Sequence, residues 1–230
     1  LVVGAGGLPD RSPEELMRDT ERHELAQDPG PGRPRSVRAL SVGAEQFCAL
    51  DCARPSVMAG YPSLDVITRD SLVALPGLLL ARGRIAAARA VLDTLIRSAK
   101  HGLLPFRLPS GEAGPLPSAP DATLWLFEAA REYVDRVGER DEFVRHRLFP
   151  ALCRAFARLR KGRRYGVWMT AEGLLANWLD GVPLTWMDAR VGDHIVTPRR
   201  GLAVEQQALW ARAADLIERL SAAYGFSSLA

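Results

Sequence analysis

Trp186, Met187 and Asp188 stand together in Leu184-Thr185-Trp186-Met187-Asp188-Ala189-Arg190, and the chain runs on through Val196-Thr197-Pro198-Arg199 to Ala203-Val204-Glu205. Two carboxylates, an indole and a thioether thus surround a turn punctuated by Gly, Asp and Pro, just before a long helical pattern. Core packing alone does not call for polar groups beside indole and thioether. An acidic, aromatic-lined stretch of this kind suits the holding and cleaving of a sugar. The aromatic face takes the apolar side of the ring, and paired carboxylates supply proton transfer. Taken singly, Trp186 also reads as core, and Glu205 as a first-turn partner of the helix dipole.

The elements that must carry these groups are helices. Ser12-Pro13-Glu14-Glu15 has the Ser N-cap, early Pro and third-position Glu of a helix start. Gln27 to Arg35, rich in Pro, Gly and Arg, reads as a linker or flexible loop. Apolar residues at Val37, Leu40, Val42, Phe47 and Leu50 predict a helix over 36–50 with a buried face. Asp70 to Ala81 is apolar nearly all round and predicts an inner helix. Ile85 to Ser98 predicts an amphipathic partner that Gly102 closes, making an αα-hairpin. Gly102 to Pro120 reads as a loop over one end of the fold. Asp121 then serves as N-cap or first-turn residue of a helix to about Val137, and Glu139 to Lys161 supplies its partner. Tyr165 to Thr170 reads as a short strand or extended arm, and Ala203 to Ala223 as a last long helix.

Each hairpin pairs one apolar with one amphipathic helix, and polar, aromatic-rich loops fall at helix starts. That pattern predicts an all-α protein, an α/α toroid of helical hairpins of the six-hairpin glycosidase type. A closed toroid needs about 12 helices and the pattern supplies about seven or eight, so it is expected to be partial at its C-terminus. Residues 1–35 read as a strand, short helix and linker from a preceding domain, and 36–230 as the partial toroid. A dinucleotide fingerprint at Leu1-Val2-Val3-Gly4-Ala5-Gly6-Gly7 fails, because its third glycine falls on Pro9.

Composition narrows the function classes. A chain of 230 residues with 47% hydrophobic and 25% charged residues is globular. Net charge is +3. The basic run Arg158 to Arg164 lacks interleaved aromatics and reads as a solvated helix end, so no nucleic-acid partner is expected. Cys48, Cys52 and Cys153 give no disulfide framework. Cys48 and Cys52 are four apart on the expected helix, yet no further ligands stand nearby, so neither metal nor cofactor is expected. No apolar run reaches the ~18 residues of a membrane span, and no leader pattern opens the chain, so a cytoplasmic protein is expected.

Five blocks in order resemble the C-terminal glucosidase domain of glycogen debranching enzymes, the amylo-α-1,6-glucosidases. They are Ala59-Gly60-Tyr61-Pro62 with Arg69-Asp70 and Ala74-Leu75-Pro76-Gly77-Leu78; Gly102-Leu103-Leu104-Pro105; Asp121-Ala122-Thr123-Leu124-Trp125; Thr185-Trp186-Met187-Asp188-Ala189 with Thr197-Pro198-Arg199; and Ala203-Val204-Glu205 with Ala208-Leu209-Trp210. The resemblance spans roughly Ser36 to Ala223. It implies hydrolysis of α-1,6-glucosidic branch stubs on a branched α-glucan, glycogen or limit dextrin, by an inverting two-carboxylate route. It further implies Asp121 as general acid and Asp188 as the second candidate carboxylate. Arg69 and Asp70 would grip sugar hydroxyls, Trp186 would be a sugar platform and Glu205 a cleft carboxylate. The general base, and domains before and after, are expected outside this stretch of chain.

Departures from the family pattern leave other readings open. Aromatics that precede the family's Arg-Asp are replaced by Ser63-Leu64 and Ile67-Thr68, which removes stacking surface. Phe106 stands where Asn is usual, Pro117-Ser118 where Tyr-Asn is usual, and Gln206-Gln207 follow the Val-Glu pair. The alternatives are a non-catalytic glucan-binding remnant, and another α/α-toroid glycosidase of glucoamylase or trehalase type.

Overall fold

Proline and alanine-leucine periodicity set most of the observed architecture. The structure is a computed structural model, and it describes residues 12–50, 54–60, 66–108 and 120–226. The strand expected at Leu1-Val2-Val3, Cys52, Tyr61-Pro62, Ser63-Leu64 and Pro117-Ser118 lie outside the described residues. Contacts divide the chain into two units, Leu1–Phe47 and Cys48–Ala230. The sequence pattern had set its boundary after Arg35.

In the first unit, α1 (Pro13–Gln27) opens on the expected capping box. Ser12 Oγ accepts from the Glu15 N–H at 3.2 Å, and Glu15 Oε2 accepts from the Ser12 N–H at 2.9 Å. The connection to α2 (Arg35–Glu45) is held rather than loose. Asp28 Oδ1 accepts from the Gly30 N–H at 2.9 Å and from Arg38 Nε at 2.8 Å. Those hydrogen bonds, the one from Arg38 foremost, bring the Asp28 carboxyl down to about 2. Val37 and Leu40, expected on a buried face, are exposed.

In the second unit, Cys48 does not continue a helix: Cys48–Ala49 is β1, antiparallel to β2 (Ser56–Val57), so Cys48 shares no helix face with Cys52. Tertiary pairing overrides local propensity here. Ser71 Oγ donates to the Val57 carbonyl at 2.6 Å and ties the strand pair to α3 (Thr68–Leu75).

Pro76 follows α3 without breaking it. The helix widens into a π turn over Pro76–Leu80, closed by Ala81 N–H donating to the Pro76 carbonyl at 2.8 Å. Pro150 has the same effect in α6 (Phe149–Lys161), which is preceded by a π turn at Val144–Leu148. A proline ring cannot donate the i→i−4 bond, and a wider turn absorbs the mismatch. Between them lie α4 (Ile85–Ser98) and α5 (Pro120–Val137). Helix α4 buries Ala88, Val91, Leu92 and Leu95 along one stripe. Helix α5 is buried over most of its circumference, including Leu124, Phe127, Tyr133 and Val134. It is the central helix, with α3, α4, α6 and α7 (Val204–Ala223) packed about it.

Helices α6 and α7 meet through Phe156 and Trp210, stacked 4.4 Å apart at 16°. Trp210 Nε1 donates to the Gly173 carbonyl at 3.0 Å, so the indole is both packed and satisfied. Between α6 and α7 the chain forms an arm of two short hairpins, and the expected stretch from Tyr165 to Thr170 supplies only its first strand. Strands β3 (Val167–Met169) and β4 (Leu175–Asn177) pair antiparallel, Val167 opposite Asn177. Strands β5 (Arg190–Val191) and β6 (His194–Ile195) form the second pair. The unit is mostly helical, as the pattern predicted. Among the described residues no helix is long and apolar enough to cross a membrane.

Candidate functional site

Two helix starts are brought together by one loop. Thr68 N–H donates to the Phe106 carbonyl at 3.0 Å and Leu108 N–H to the Val66 carbonyl at 3.0 Å. The same loop meets α5, where Thr123 Oγ1 accepts from the Leu104 N–H at 3.0 Å. At its start the loop passes close against α6, which Gly102 allows. Its φ is +84°, and a Cβ there would lie 2.7 Å from the Arg154 carbonyl oxygen. Arg69, second residue of α3, therefore faces Asp121, second residue of α5.

Arg69 Nη1 donates to Asp121 Oδ2 at 2.8 Å and Nη2 to Asp188 Oδ2 at 3.0 Å; its Nε lies 3.6 Å from Asp70 Oδ1. Asp121 is only 6% exposed. Burial pushes its carboxyl above the ordinary range. The Arg69 guanidinium and the Ala122 N–H oppose that shift, and the Asp188 charge adds to it. For Arg69, burial works against the charge, but the hydrogen bonds and charges of Asp121 and Asp188 prevail and hold its pKa up.

The third wall comes from the arm and α7. Arg199 Nε donates to Glu205 Oε1 at 2.8 Å, and its Nη2 to Glu205 Oε2, a forked pair. That pair holds the Glu205 carboxyl below its ordinary range, against partial burial, with a smaller contribution from a Trp186 hydrogen bond. Trp186 is 52% exposed and so is not core. Behind it, Gln206 is buried. Its Oε1 accepts from Asn177 Nδ2 at 2.8 Å and its Nε2 donates to the Leu184 carbonyl at 2.8 Å. Gln207 bonds both the N–H and the carbonyl of Leu175. The two glutamines fasten β4 and the Leu184–Thr185 turn to the first turn of α7.

These walls enclose a cavity of about 620 Å³ whose surface is largely apolar. Arg69, Asp70, Asp121, Trp186 and Glu205 all line it, together with the Trp125 indole. Asp188 reaches the site through Arg69 instead of lining the cavity. A pocket with an aromatic wall, one buried carboxyl and a few convergent charged groups can seat a sugar ring and hand it a proton.

The sequence model of the family described as Amylo-alpha-1,6-glucosidase matches residues 38–227. The chain belongs to this family. It is also similar to the glycogen debranching enzyme of Saccharomyces cerevisiae, 31% identical over 99 residues. That alignment takes in 41% of this chain and 6% of the yeast protein, so the chain spans a small part of the relative it matches.

Within this amylo-α-1,6-glucosidase fold, the residues that sequence reasoning left without a role are Trp125, Arg199, Gln206 and Gln207. Trp125 follows Asp121 by one helical turn, a spacing that already puts both on one face. Arg199 stands six residues before Glu205, and no local pattern announces their pairing. Two adjacent glutamines in the first turn of α7 were the available signal for Gln206 and Gln207.

Proposed function

We propose that this domain hydrolyses α-1,6-glucosidic branch stubs of a branched α-glucan such as glycogen or limit dextrin, by the inverting two-carboxylate route, with Asp121 as the general acid. The observation that carries this reading is a buried carboxyl in a cavity wall, sharing one guanidinium with a second carboxylate. With Asp121 and Asp188 both ionised, the trio with Arg69 carries one net negative charge in a partly dry site. One proton neutralises it, and the more buried Asp121 is the better place to keep that proton. A glycosidic oxygen entering beside Asp121 can then take it as the bond breaks.

Asp188 acts in this scheme by raising the proton affinity of Asp121 across Arg69. An inverting base must work from the far face of the sugar ring, so the water-activating group is neither member of this pair. Asp70, Trp186 and Glu205 bind the terminal glucose. Trp186 and Trp125 offer indole surface to its C–H face, and Asp70 accepts from its hydroxyls. The helical architecture and the family support a partial α/α toroid as the frame. The unbridged thiol of Cys153 fits a cytoplasmic setting. The flanking domains of a longer chain are the remaining partners.

A second reading, a glucan-binding domain without catalysis, is favoured by one observation: Arg69 already spends both terminal nitrogens on carboxylates. The deciding experiment is glucose release from limit dextrin by the protein beside an Asp121→Asn variant. Release by the parent and at least a ~100-fold loss in the variant is expected. No release by either, with glucan still bound, would replace the hydrolytic reading with the binding one.

A further inference from the structure

Trp178 is a second half-exposed indole, and it belongs to a different surface. Successive side chains along β4 point to opposite faces. Asn177 turns inward to Gln206 and is 1% exposed, so Trp178, next in the chain, faces away from that contact and is 52% exposed. Its backbone is pinned: Trp178 N–H donates to the Gly166 carbonyl at 2.8 Å, and Asn177 exchanges bonds of 2.9 and 2.7 Å with Gly201.

The ring is pinned as well. Its Nε1–H donates to Asp180 Oδ1 at 3.2 Å, and the Arg200 guanidinium lies over the ring, 5.1 Å from its centroid. Arg200 Nη1 also lies 3.7 Å from the same Asp180 oxygen. Two charged side chains thus orient an indole that buries too little to matter for the core. Asp180 itself is 88% exposed on its side chain. None of the three lines the cavity.

We propose that Trp178, Asp180 and Arg200 form a second carbohydrate site, which takes an α-linked glucose chain on the outer face of the arm. This rests on the reading that the substrate is a branched α-glucan. A glucose ring in its chair form offers a C–H face to the open part of the indole, while its hydroxyls donate to Asp180 and accept from Arg200. The carboxylate and the guanidinium cancel, so the site suits a neutral, hydroxyl-rich ligand; Asp180 repels a polyanion and Arg200 a polycation. A branched glucan has many chain ends, so one can rest here while another enters the cavity. Two weak contacts on one polymer then act as one stronger one.

The test is retardation of the protein in glycogen-containing gels, with Trp178→Ala and Arg200→Ala compared with the parent. Expected is about a 10-fold weaker glycogen affinity for Trp178→Ala and a smaller loss for Arg200→Ala. Cleavage of isomaltose, too short to span both sites, stays at the parental rate. Circular dichroism melts identify any variant that fails to fold, and Arg200→Ala then carries the test. Parental glycogen affinity in a folded Trp178→Ala, with glucose release intact, would overturn the second site alone. A parent that neither binds nor cleaves glycogen would overturn the functional reading and the second site with it. Loss of a dimer in Trp178→Ala, with glycogen affinity unchanged, would make the patch a protein contact instead.

Discussion

Arg69 and Asp121, 52 positions apart, meet through a 2.8 Å hydrogen bond between the first turns of α3 and α5. The contact couples the proton on Asp121 to the stability of the fold. Burial raises the Asp121 pKa above its ordinary 3.8, so the protonated carboxyl is the form the native state prefers. The stability this gives is fully present below 3.8 and is lost as pH rises through the folded value. Asp121→Asn removes that dependence. The melting temperature of the variant relative to the parent is therefore expected to climb as pH is raised from 4 through the folded pKa. A gap that shrinks over the same titration would show that the Arg69 pair, not burial, governs Asp121.

Glu205 carries the opposite sign. Its hydrogen bonds to Arg199 hold its pKa below 4.5, so its contribution is present above 4.5 and fades as pH falls through the folded value. Glu205→Gln is expected to cost about 1 kcal/mol at pH 7 and nothing below the folded pKa. Trp186 exchanges a carboxylate acceptor for a weaker amide oxygen in that variant, so its fluorescence should shift as well. Urea melts of parent and variant over a pH series descending from 7 follow that difference as it closes.

Helices were largely legible in the sequence because their signals are local. The stripe from Ile85 to Ser98 matches α4 from first to last residue, and Ser12 with Glu15 gives the start of α1. Cys48 was misread because its state depends on Ser56–Val57 and, through it, on Ser71, none of which a helical period can register. The site was legible as a set of residue types and not as a set of pairs. Arg69 was read as a grip on sugar hydroxyls, and its bonds to carboxylates 52 and 119 positions along the chain were not legible. Gln206 and Gln207 stood out only as departures from the family pattern, yet they fasten the arm that carries Trp186.

Gln206 accordingly makes a sharp prediction about the arm. Truncation to Ala strands the Asn177 amide and the Leu184 carbonyl in the interior, and it leaves a small void. An unsatisfied buried polar group costs about 1–3 kcal/mol, so Gln206→Ala is expected to lose about 2–4 kcal/mol by urea denaturation. Gln206→Glu should be as damaging at neutral pH, since it replaces the donor to Leu184 with a buried charge. A loss under 1 kcal/mol in both would show that the arm is fastened elsewhere.

Trp210 tests whether α6 and α7 hold together through one ring pair. The indole is nearly buried, stacks on Phe156 and spends its N–H on Gly173. Trp210→Ala removes the stack, opens a cavity between two helices and leaves the exposed Gly173 carbonyl to water, for an expected cost of about 3–5 kcal/mol. Trp210→Phe keeps most of the packing and loses the hydrogen bond, so its cost should be nearer 1–2 kcal/mol. Denaturant midpoints for the two variants, read at equal m, apportion packing against hydrogen bonding. The alanine variant should also weaken glucan binding, because Ala208 and Leu209, immediately before Trp210, line the cavity. Unchanged binding in a destabilised Trp210→Ala would mean that the cavity wall is held by the first turn of α7 alone, through Gln206, Gln207 and the Arg199–Glu205 pair.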